Sequence, residues 1–255
     1  MRIIISPAKK MREDTDGMEW RDLPAFLART EKLLAKLRSL SAAELQKLWK
    51  CNDQIAALNV ERLAHMDLRR GLTPAVLAYE GIQYQYMSPE VFTNGEYDYV
   101  QEHLRILSGF YGLLRPFDGV VPYRLEMQAK LNVDGQKDLY AFWGDSLARM
   151  LFRETDCVVN LASKKYSQCI ARYLPENARF ITCVFGEAQG AKIVEKGTMC
   201  KMARGEMVRF MAENRVSQPE ELRAFDRLDY AYSPEHSAAD TFVFLRRRKE
   251  AEPVW

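Results

Sequence analysis

The sequence predicts a mixed α/β fold, with a mixed sheet and surrounding helices, that forms a single compact domain over residues 1–255. Short apolar or β-branched runs, typical of buried strands, alternate with longer segments of helical periodicity. With 47% hydrophobic residues, the chain can bury a large core, and its 255 residues are near the upper size of one domain. No repeat or Pro/Gly-rich linker suggests a domain boundary.

The N-terminal half begins with a strand and continues with helices. Residues 2–5 form an apolar run that is typical of a buried strand. Asp22 can cap a helix with Pro24 in its first turn, and Ser41 with Glu44 matches a capping box that starts a second helix. The other elements predicted in this half are a helix over 53–66, a strand over 75–79 and a helix over 95–107.

The C-terminal half alternates helices with short strands. The predicted elements are a helix over 138–153, strands over 157–161, 179–185, 191–195 and 241–246, and a helix that begins near Lys201. A basic run follows over residues 246–249 and is expected to be a solvated tail. Since no Gly-x-Gly-x-x-Gly or Walker A sequence is present, the dinucleotide-binding and P-loop folds are excluded.

The net charge of the chain is too small for its whole surface to attract nucleic acid. Thirty-seven basic and 35 acidic side chains leave a formal charge of +2, so any anion site must come from local clustering. Three isoleucines before a Ser-Pro break are too short for a signal peptide, and no later stretch approaches a membrane span. These features predict a cytoplasmic protein without a membrane partner.

Cysteine and histidine usage predicts neither a metal nor a redox centre. The five cysteines show no Cys-x-x-Cys pair, so we expect reduced thiols that lie mostly in the core. Peroxide sensing by one of the cysteines stays an open alternative, and it would need an exposed thiolate of low pKa. His65, His103 and His236 lie in unrelated contexts without metal-ligand spacing, so no cofactor and no tightly bound metal are predicted.

Lys9 and Lys10 are the first candidates for binding an anion. They follow the first predicted strand, and the segment from Arg2 to Arg12 contains no acidic residue. Loops at strand ends often bind ligands because the sheet holds them rigidly. The alternative is that both lysines are simply solvated.

Gly109 and Gly112 bracket a turn after the helix that is predicted to end at Leu107. Glycine-containing hairpins in helix-hairpin-helix modules bring backbone amides against a phosphate, because glycine has no Cβ to hold the anion away. This segment therefore predicts a helix-hairpin-helix-like phosphate contact. A plain turn between core elements is the alternative.

Four charged residues lie among apolar and aromatic residues after this turn: Arg115, Asp118, Arg124 and Glu126. Such groups are either paired or functional. One interpretation is that Arg115 and Arg124 contact a phosphate. The other is that ion pairs between Arg124 and Glu126, or between Arg115 and Asp118, hold the loop.

The helix near Lys201 carries three cations on one half of its surface, because about 100° per residue brings Lys201, Arg204 and Arg209 together. Gly205 lies between them. A glycine inside a helix costs roughly 0.5–1 kcal/mol relative to alanine, so something is expected to approach the backbone there. Two explanations of Gly205 stay open: a phosphate bound between the three cations, or another helix packed tightly against the backbone.

Three segments make the chain resemble the YaaA family of bacterial peroxide-stress, DNA-binding proteins. They are Ile-Ser-Pro-Ala-Lys-Lys over 5–10, Leu-Ser-Gly-Phe-Tyr-Gly-Leu-Leu-Arg-Pro over 107–116 with Pro-Tyr-Arg-Leu-Glu-Met over 122–127, and Lys-Met-Ala-Arg-Gly over 201–205. The resemblance implies a cytoplasmic protein that helps cells to survive hydrogen peroxide and is linked to lowered iron and DNA repair. It also implies binding of duplex or branched DNA, independent of sequence, through a positive cleft and a helix-hairpin-helix.

Three places depart from the family's usual residues. Ile82 and Gln83 stand where Asp-Val is common, Lys165 stands where Glu is common, and Asp229 stands where Gly is common. Because two acidic residues are missing, no metal is assigned. The leading hypothesis is DNA binding, and the alternative is a lyase-type enzyme with Lys9 as amine nucleophile and Asp118 or Glu126 as acid/base. A noncatalytic partner-binding or iron-handling protein is the third possibility.

Overall fold

The computed structural model describes residues 1–190 and 192–247. Part of the predicted basic run over 246–249 and residue 191 of a predicted strand therefore lie outside the described residues. The α-helices are α1 (Leu27–Arg38), α2 (Ala42–Trp49), α3 (Asp53–His65), α4 (Ala75–Ala78), α5 (Ile82–Met87), α6 (Asn94–His103), α7 (Leu139–Trp143), α8 (Ser146–Phe152), α9 (Lys164–Ala171) and α10 (Gly197–Glu213). Short 3-10 helices are formed by Pro89–Val91, Pro219–Ala224, Arg227–Asp229 and Pro234–His236.

The strands build one large mixed sheet and two small ribbons. They are β1 (Arg2–Ile5), β2 (Lys10–Met11), β3 (Thr73–Pro74), β4 (Tyr79–Glu80), β5 (Leu104–Ser108), β6 (Gly112–Leu114), β7 (Gly119–Val120), β8 (Cys157–Asn160), β9 (Arg179–Gln189), β10 (Lys192–Val194), β11 (Tyr230–Tyr232) and β12 (Thr241–Arg246). Within the described residues, the large sheet has the order β11-β12-β9-β8-β1-β5-β6, and β10 pairs with β9. The ribbons pair β2 with β4 and β3 with β7.

The centre of the large sheet is parallel, which explains the apolar character of its strands. β12, β9, β8, β1 and β5 run parallel, whereas β11, β6 and β10 pair antiparallel at its borders. Parallel strands are covered on both faces and therefore read as continuous apolar runs. In β1, Ile3, Ile4 and Ile5 are fully buried. The predicted α/β class is confirmed, and one apolar core extends from β1 to β12.

Several predicted elements match the structure closely. Ser41 and Glu44 form the predicted capping box at the start of α2, and α3 begins one residue after its cap, Asn52. The strand predicted over 241–246 is β12. The helix predicted over 138–153 is divided into α7 and α8 by Gly144, whose φ of 53° is in the left-handed region.

Three predicted features are wrong. The helix expected to be capped by Asp22 begins only at Leu27, and its N-cap is Phe26 without a side-chain hydrogen bond. The other two errors come from fully buried apolar runs. Residues 75–79 form mainly the one-turn helix α4 instead of a strand. The helix predicted over 95–107 ends at His103, and the chain continues as β5, in which all residues are buried. When every side chain is buried, apolar periodicity does not separate strand from helix.

The expected helix-hairpin-helix is not formed, because Gly109 and Gly112 lie at the turn between β5 and β6. A Cβ on Gly109 would lie 2.6 Å from the Leu125 carbonyl oxygen, and Gly112, with a φ of +81°, packs against Trp143. Both glycines are buried. They close a β-hairpin inside the core, so their backbone is not available to a phosphate.

Candidate anion-binding cleft

A cleft of about 610 Å³ opens beside the carboxyl ends of β1 and β8. Ligands often bind at this edge of a parallel sheet, because the loops that follow neighbouring strands meet there. The cleft is lined by residues 6–10 after β1, residues 80–84 around α5, residues 123–126, Ser163, Lys165 and Tyr166 after β8, and Lys201 and Arg204 of α10. The structure therefore brings together five segments that are far apart in sequence.

The loops after β1 and β8 are joined by two serines. The Ser6 hydroxyl accepts a hydrogen bond from the Ser163 backbone amide at 2.9 Å, and the two hydroxyl oxygens lie 3.3 Å apart. The Tyr84 hydroxyl donates to the Ser6 carbonyl oxygen at 3.0 Å, which fixes α5 to the same loop. These contacts give the cleft a rigid wall, as expected for a preformed site.

The charge of the cleft differs strongly from that of the whole chain. Six cationic side chains line it against two acidic ones, Glu80 and Glu126. Lys9 pairs with Glu126 at 3.2 Å and Lys10 pairs with Glu80 at 2.9 Å. The cationic side chains are Lys9, Lys10, Arg124, Lys165, Lys201 and Arg204. The positive excess is therefore local, as the near-neutral composition required.

Three of these cations have no carboxylate partner among the described residues: Arg124, Lys165 and Lys201. Arg124 is half-buried, and its Nε is buried without a hydrogen-bond partner. The ion pair considered between Arg124 and Glu126 is not formed, because Glu126 pairs with Lys9. An unpaired guanidinium at the wall of a cleft can bind an anionic ligand by charge-assisted hydrogen bonds.

The inner wall of the cleft consists of neutral aromatic groups. Tyr84, Tyr123 and Tyr166 are all less than a tenth exposed. Burial raises the pKa of each of these phenols well above its ordinary value, so they add no negative charge at physiological pH. The cleft is therefore positive at its rim and aromatic at its base.

Gly205 serves helix packing. A Cβ at this position would lie 2.2 Å from the Gln83 carbonyl oxygen and 2.9 Å from the Met87 backbone nitrogen. The backbone of α5 thus occupies the place that a phosphate was considered to take. The structure therefore shows tight helix packing at Gly205, and this packing places Lys201 and Arg204 beside the cleft.

Arg209 does not reach the cleft, which corrects the expectation of three cations on one surface. Its Nε pairs with Glu213 at 2.7 Å, and Glu213 also pairs with Arg227, which in turn contacts Glu206 at 3.2 Å. We call these four residues the Arg209 network. Arg209 follows Arg204 by five positions along the helix, so the two side chains leave the helix about 140° apart.

Arg115 and Asp118 also lie outside the cleft lining. The Arg115 guanidinium lies 3.7 Å from Glu154, which also pairs with Arg2 and Arg105. Asp118 is 3% exposed and accepts a hydrogen bond from the Arg115 backbone amide at 2.8 Å. Burial raises the pKa of Asp118 to about 7, but the carboxyl group faces the loop and not Lys9. The two residues are therefore structural in this fold.

Sequence reasoning missed several residues of the cleft. Lys165 had been noted for replacing the family's usual Glu, and the structure places this cation in the lining. Its position in the first turn of the helix that follows a parallel strand was the signal that could have found it. Gln83 and the three tyrosines carried no such signal, because a core tyrosine and a site tyrosine look alike in sequence.

Among the described residues, little supports redox chemistry at a cysteine, a metal site or a membrane span. Cys157, Cys169, Cys183 and Cys200 are buried, and Cys51 is half-buried. Within residues 1–190 and 192–247, no group of three or more His, Cys, Asp and Glu side chains could hold a metal ion. No helix in the same part of the chain is long and apolar enough to cross a bilayer.

Comparison of the sequence with known proteins identifies the family of the chain. A sequence model described as "Peroxide stress protein YaaA" matches residues 1–236. The chain belongs to this family. Proteins named UPF0246 protein are 56% identical in Lachnoclostridium phytofermentans, over 96% of both chains, and 53% identical in Agathobacter rectalis, over 97% of this chain and 99% of the relative. The family resemblance drawn from the sequence motifs is thus confirmed over nearly the whole chain.

Proposed function

We propose that this protein binds DNA in the hydrogen peroxide stress response, through the cationic cleft. The single observation that carries the proposal is the set of unpaired cations, Arg124, Lys165 and Lys201, around one opening. Positive charges without carboxylate partners around one opening repel one another, and a bound polyanion would relieve this repulsion. The family description supports the peroxide response.

The chemistry of the rim favours phosphate contacts over readout of base sequence. Lysine is a flexible point charge that binds phosphates without a fixed geometry. Contacts to the phosphate backbone position a protein on DNA and carry no direct sequence information. We therefore expect binding of duplex or branched DNA that does not depend on sequence.

The test is a titration of labelled duplex, branched and single-stranded DNA at several salt concentrations. Lys201→Ala and Lys165→Ala should each weaken binding on unrelated sequences and reduce the slope of log affinity against log salt by about 0.7 to 0.9 per lost contact. Lys137→Ala is the matched control, because Lys137 is exposed and outside the cleft lining. Equal affinities and slopes in the cleft variants and the control would contradict the proposal.

The role in the cell follows from binding at the cleft and is tested separately. We propose a cytoplasmic protein that protects DNA from iron-mediated oxidative damage. A strain that lacks the gene should lose survival in hydrogen peroxide and regain it with the wild-type chain or Lys137→Ala. The double variant Lys165→Ala/Lys201→Ala should fail to restore survival. Full rescue by the double variant would separate peroxide protection from the cleft.

Lyase chemistry is a second candidate, and one contact favours it. Lys9 Nζ lies 3.2 Å from Glu126 Oε2, so a carboxylate is within reach of the amine. In such a reaction the deprotonated amine would attack the C1′ aldehyde of an abasic sugar and lose water to form an iminium ion, which borohydride reduces to a stable amine.

Borohydride trapping on abasic DNA separates this candidate from simple binding. We expect a shifted complex with neither strand cleavage nor a trapped adduct, because the Lys9 side chain is 61% exposed and is engaged in an ion pair with Glu126. An adduct that persists in Lys10→Ala and disappears in Lys9→Arg would instead establish the lyase.

A further inference from the structure

The cleft contains a buried side-chain amide, that of Gln83, which phosphate binding does not require. Gln83 lines the cleft, is 7% exposed, and its amide nitrogen makes no hydrogen bond to any described residue. A buried amide without a partner lowers the stability of the folded state. An isosteric apolar residue would avoid this penalty, so a ligand partner is a physical reason for the amide.

The amide lies beside aromatic groups, where α5 packs against α10. Tyr84 follows it directly in α5, and Tyr123 and Tyr166 complete the inner wall. Arg204 adjoins Gly205, whose Cβ position meets the Gln83 carbonyl oxygen. The Arg204 guanidinium pairs with Glu195 at 3.3 Å, and its Nε is buried without a hydrogen-bond partner. A primary amide both donates and accepts, which is the pattern that nucleobase edges also present.

The size of the cleft limits what can enter it. Sites for small molecules typically measure about 300–1,000 Å³, and the volume of about 610 Å³ lies within this range. A double helix, whose major groove alone is about 12 Å wide, can rest on the rim but cannot enter such a space. A single nucleotide can enter it.

We infer that the cleft holds one unpaired nucleotide, with its base against the tyrosines and the Gln83 amide and its phosphate at Lys201 and Arg204. The inference deepens the proposed function. It rests on that function where the nucleotide belongs to DNA, which is the first of two sources. The unit can be extruded from DNA, which costs least at a bulge or a mismatch. It can also be a free nucleotide.

Gln83→Met is the decisive variant, because it keeps the length of the side chain and removes the amide. Binding of DNA with a single-nucleotide bulge should be at least about 10-fold tighter than binding of the same duplex without the bulge, and Gln83→Met should reduce this preference about 3- to 10-fold. The salt slope should not change, since no charge is lost. Gln85→Met is the matched control on α5, since Gln85 is exposed and outside the cleft lining.

Thermal unfolding separates a ligand role from a structural role of Gln83. If the amide is unpaired in the free protein, Gln83→Met should have a melting temperature equal to or higher than that of the wild type. A lower melting temperature than that of Gln85→Met would show that the amide supports the fold, and the inference would be wrong.

Competition with deoxynucleoside monophosphates distinguishes the two sources and keeps the inference separate from the proposed function. Displacement of bulged DNA by the monophosphates supports the extruded nucleotide. Binding of monophosphates that is weakened in Gln83→Met, without any DNA binding, supports the free nucleotide and contradicts the proposed function. Equal affinity for bulged and plain duplex, with no binding of monophosphates, overturns the inference and leaves DNA binding intact.

Discussion

The two ends of α10 carry similar cations in opposite electrostatic situations. Near its start, Lys201 lines the cleft without a carboxylate partner among the described residues, and Arg204, one turn further along the same wall, pairs with Glu195 at 3.3 Å. Near its end, Arg209 belongs to a network in which two guanidinium groups face two carboxylates. The first end is left with positive charge, whereas the second end neutralises its own charge.

The contrast teaches that pairing, and not local charge density, decides where an anion can bind. Helical spacing placed Lys201, Arg204 and Arg209 on one half of the helix, but Arg209 pairs with Glu213 of α10 itself. Arg227, in the 3-10 helix Arg227–Asp229, contacts the same carboxylate. Exposed cations that are already paired gain little from a further anion. The predictions below test this difference between the two ends, from the largest expected effect to the smallest.

Gly205→Ala should give the largest effect, because Gly205 holds the first end of α10 against α5. The added methyl group would lie 2.2 Å from a backbone carbonyl oxygen that cannot rotate away. We expect a loss of about 3 kcal/mol in the free energy of unfolding, although alanine is the better helix former by about 1 kcal/mol. Chemical denaturation measures the change.

Gly197→Ala is the matched control, since nothing lies within 4 Å of a Cβ at Gly197 on the same helix. It should leave stability unchanged or slightly raised. Equal stability of both variants would mean that α10 and α5 are not in close contact, and the placement of Arg204 at the cleft would lose its basis.

Asp118→Asn should change the pH dependence of stability and leave the cleft unaffected. Burial raises the pKa of Asp118 to about 7 in the folded state, above its ordinary value of 3.8. The stability that the protonated carboxyl contributes is therefore complete below about pH 4 and is lost as the pH rises through about 7. Between pH 5 and pH 8, the wild type should lose about 2 kcal/mol relative to Asp118→Asn.

Parallel urea titrations at pH 5 and pH 8 provide the measurement. DNA affinity should be the same in Asp118→Asn and the wild type at both pH values, since Asp118 lies outside the cleft lining. A constant stability difference across this range would indicate that the carboxyl group is ionised at both pH values. A change in DNA affinity would return Asp118 to the list of site residues.

Much of the fold could be predicted from the sequence, because local chemistry decides it. The capping box at Ser41 and the strand before Lys9 depend on neighbours in the chain, and both are formed. The β5–β6 hairpin was missed because a strand buried on both faces has no alternating pattern. In the site, Lys9 and Arg204 were each predicted as candidate anion contacts, and both line the cleft. Gln83 could not be found, since its burial depends on the packing of α10 against α5.

Lys201→Ala and Arg209→Ala compare the unpaired and the paired end of α10 directly in DNA binding. Loss of a cation in the cleft should weaken binding about 10-fold, which corresponds to about 1.4 kcal/mol, and should lower the salt slope by about 0.9. Arg209→Ala should change affinity less than about 2-fold, because Glu213 already neutralises this side chain. Similar losses in both variants would extend the DNA surface along the whole helix.

Blocking of thiols should have the smallest effect, although Cys200 lies on α10 close to Arg204. The Cys200 thiol is 4% exposed and lies 3.1 Å from Glu195 Oε1, and burial raises its pKa to about 12. A thiol that is neither accessible nor ionised reacts slowly with alkylating agents and with peroxide. Since Cys51 alone of the five is not buried, a reagent such as N-ethylmaleimide should label Cys51 first and leave DNA affinity unchanged.

Cys51→Ser is the control, and it should abolish fast labelling without changing DNA binding. Mass spectrometry of the native protein identifies the thiol that reacts. Rapid labelling of Cys200 together with weaker DNA binding would mean that the first end of α10 opens in solution. In that case its cations would be under redox control, because oxidation of Cys200 would disturb the contact that Glu195 shares with Arg204.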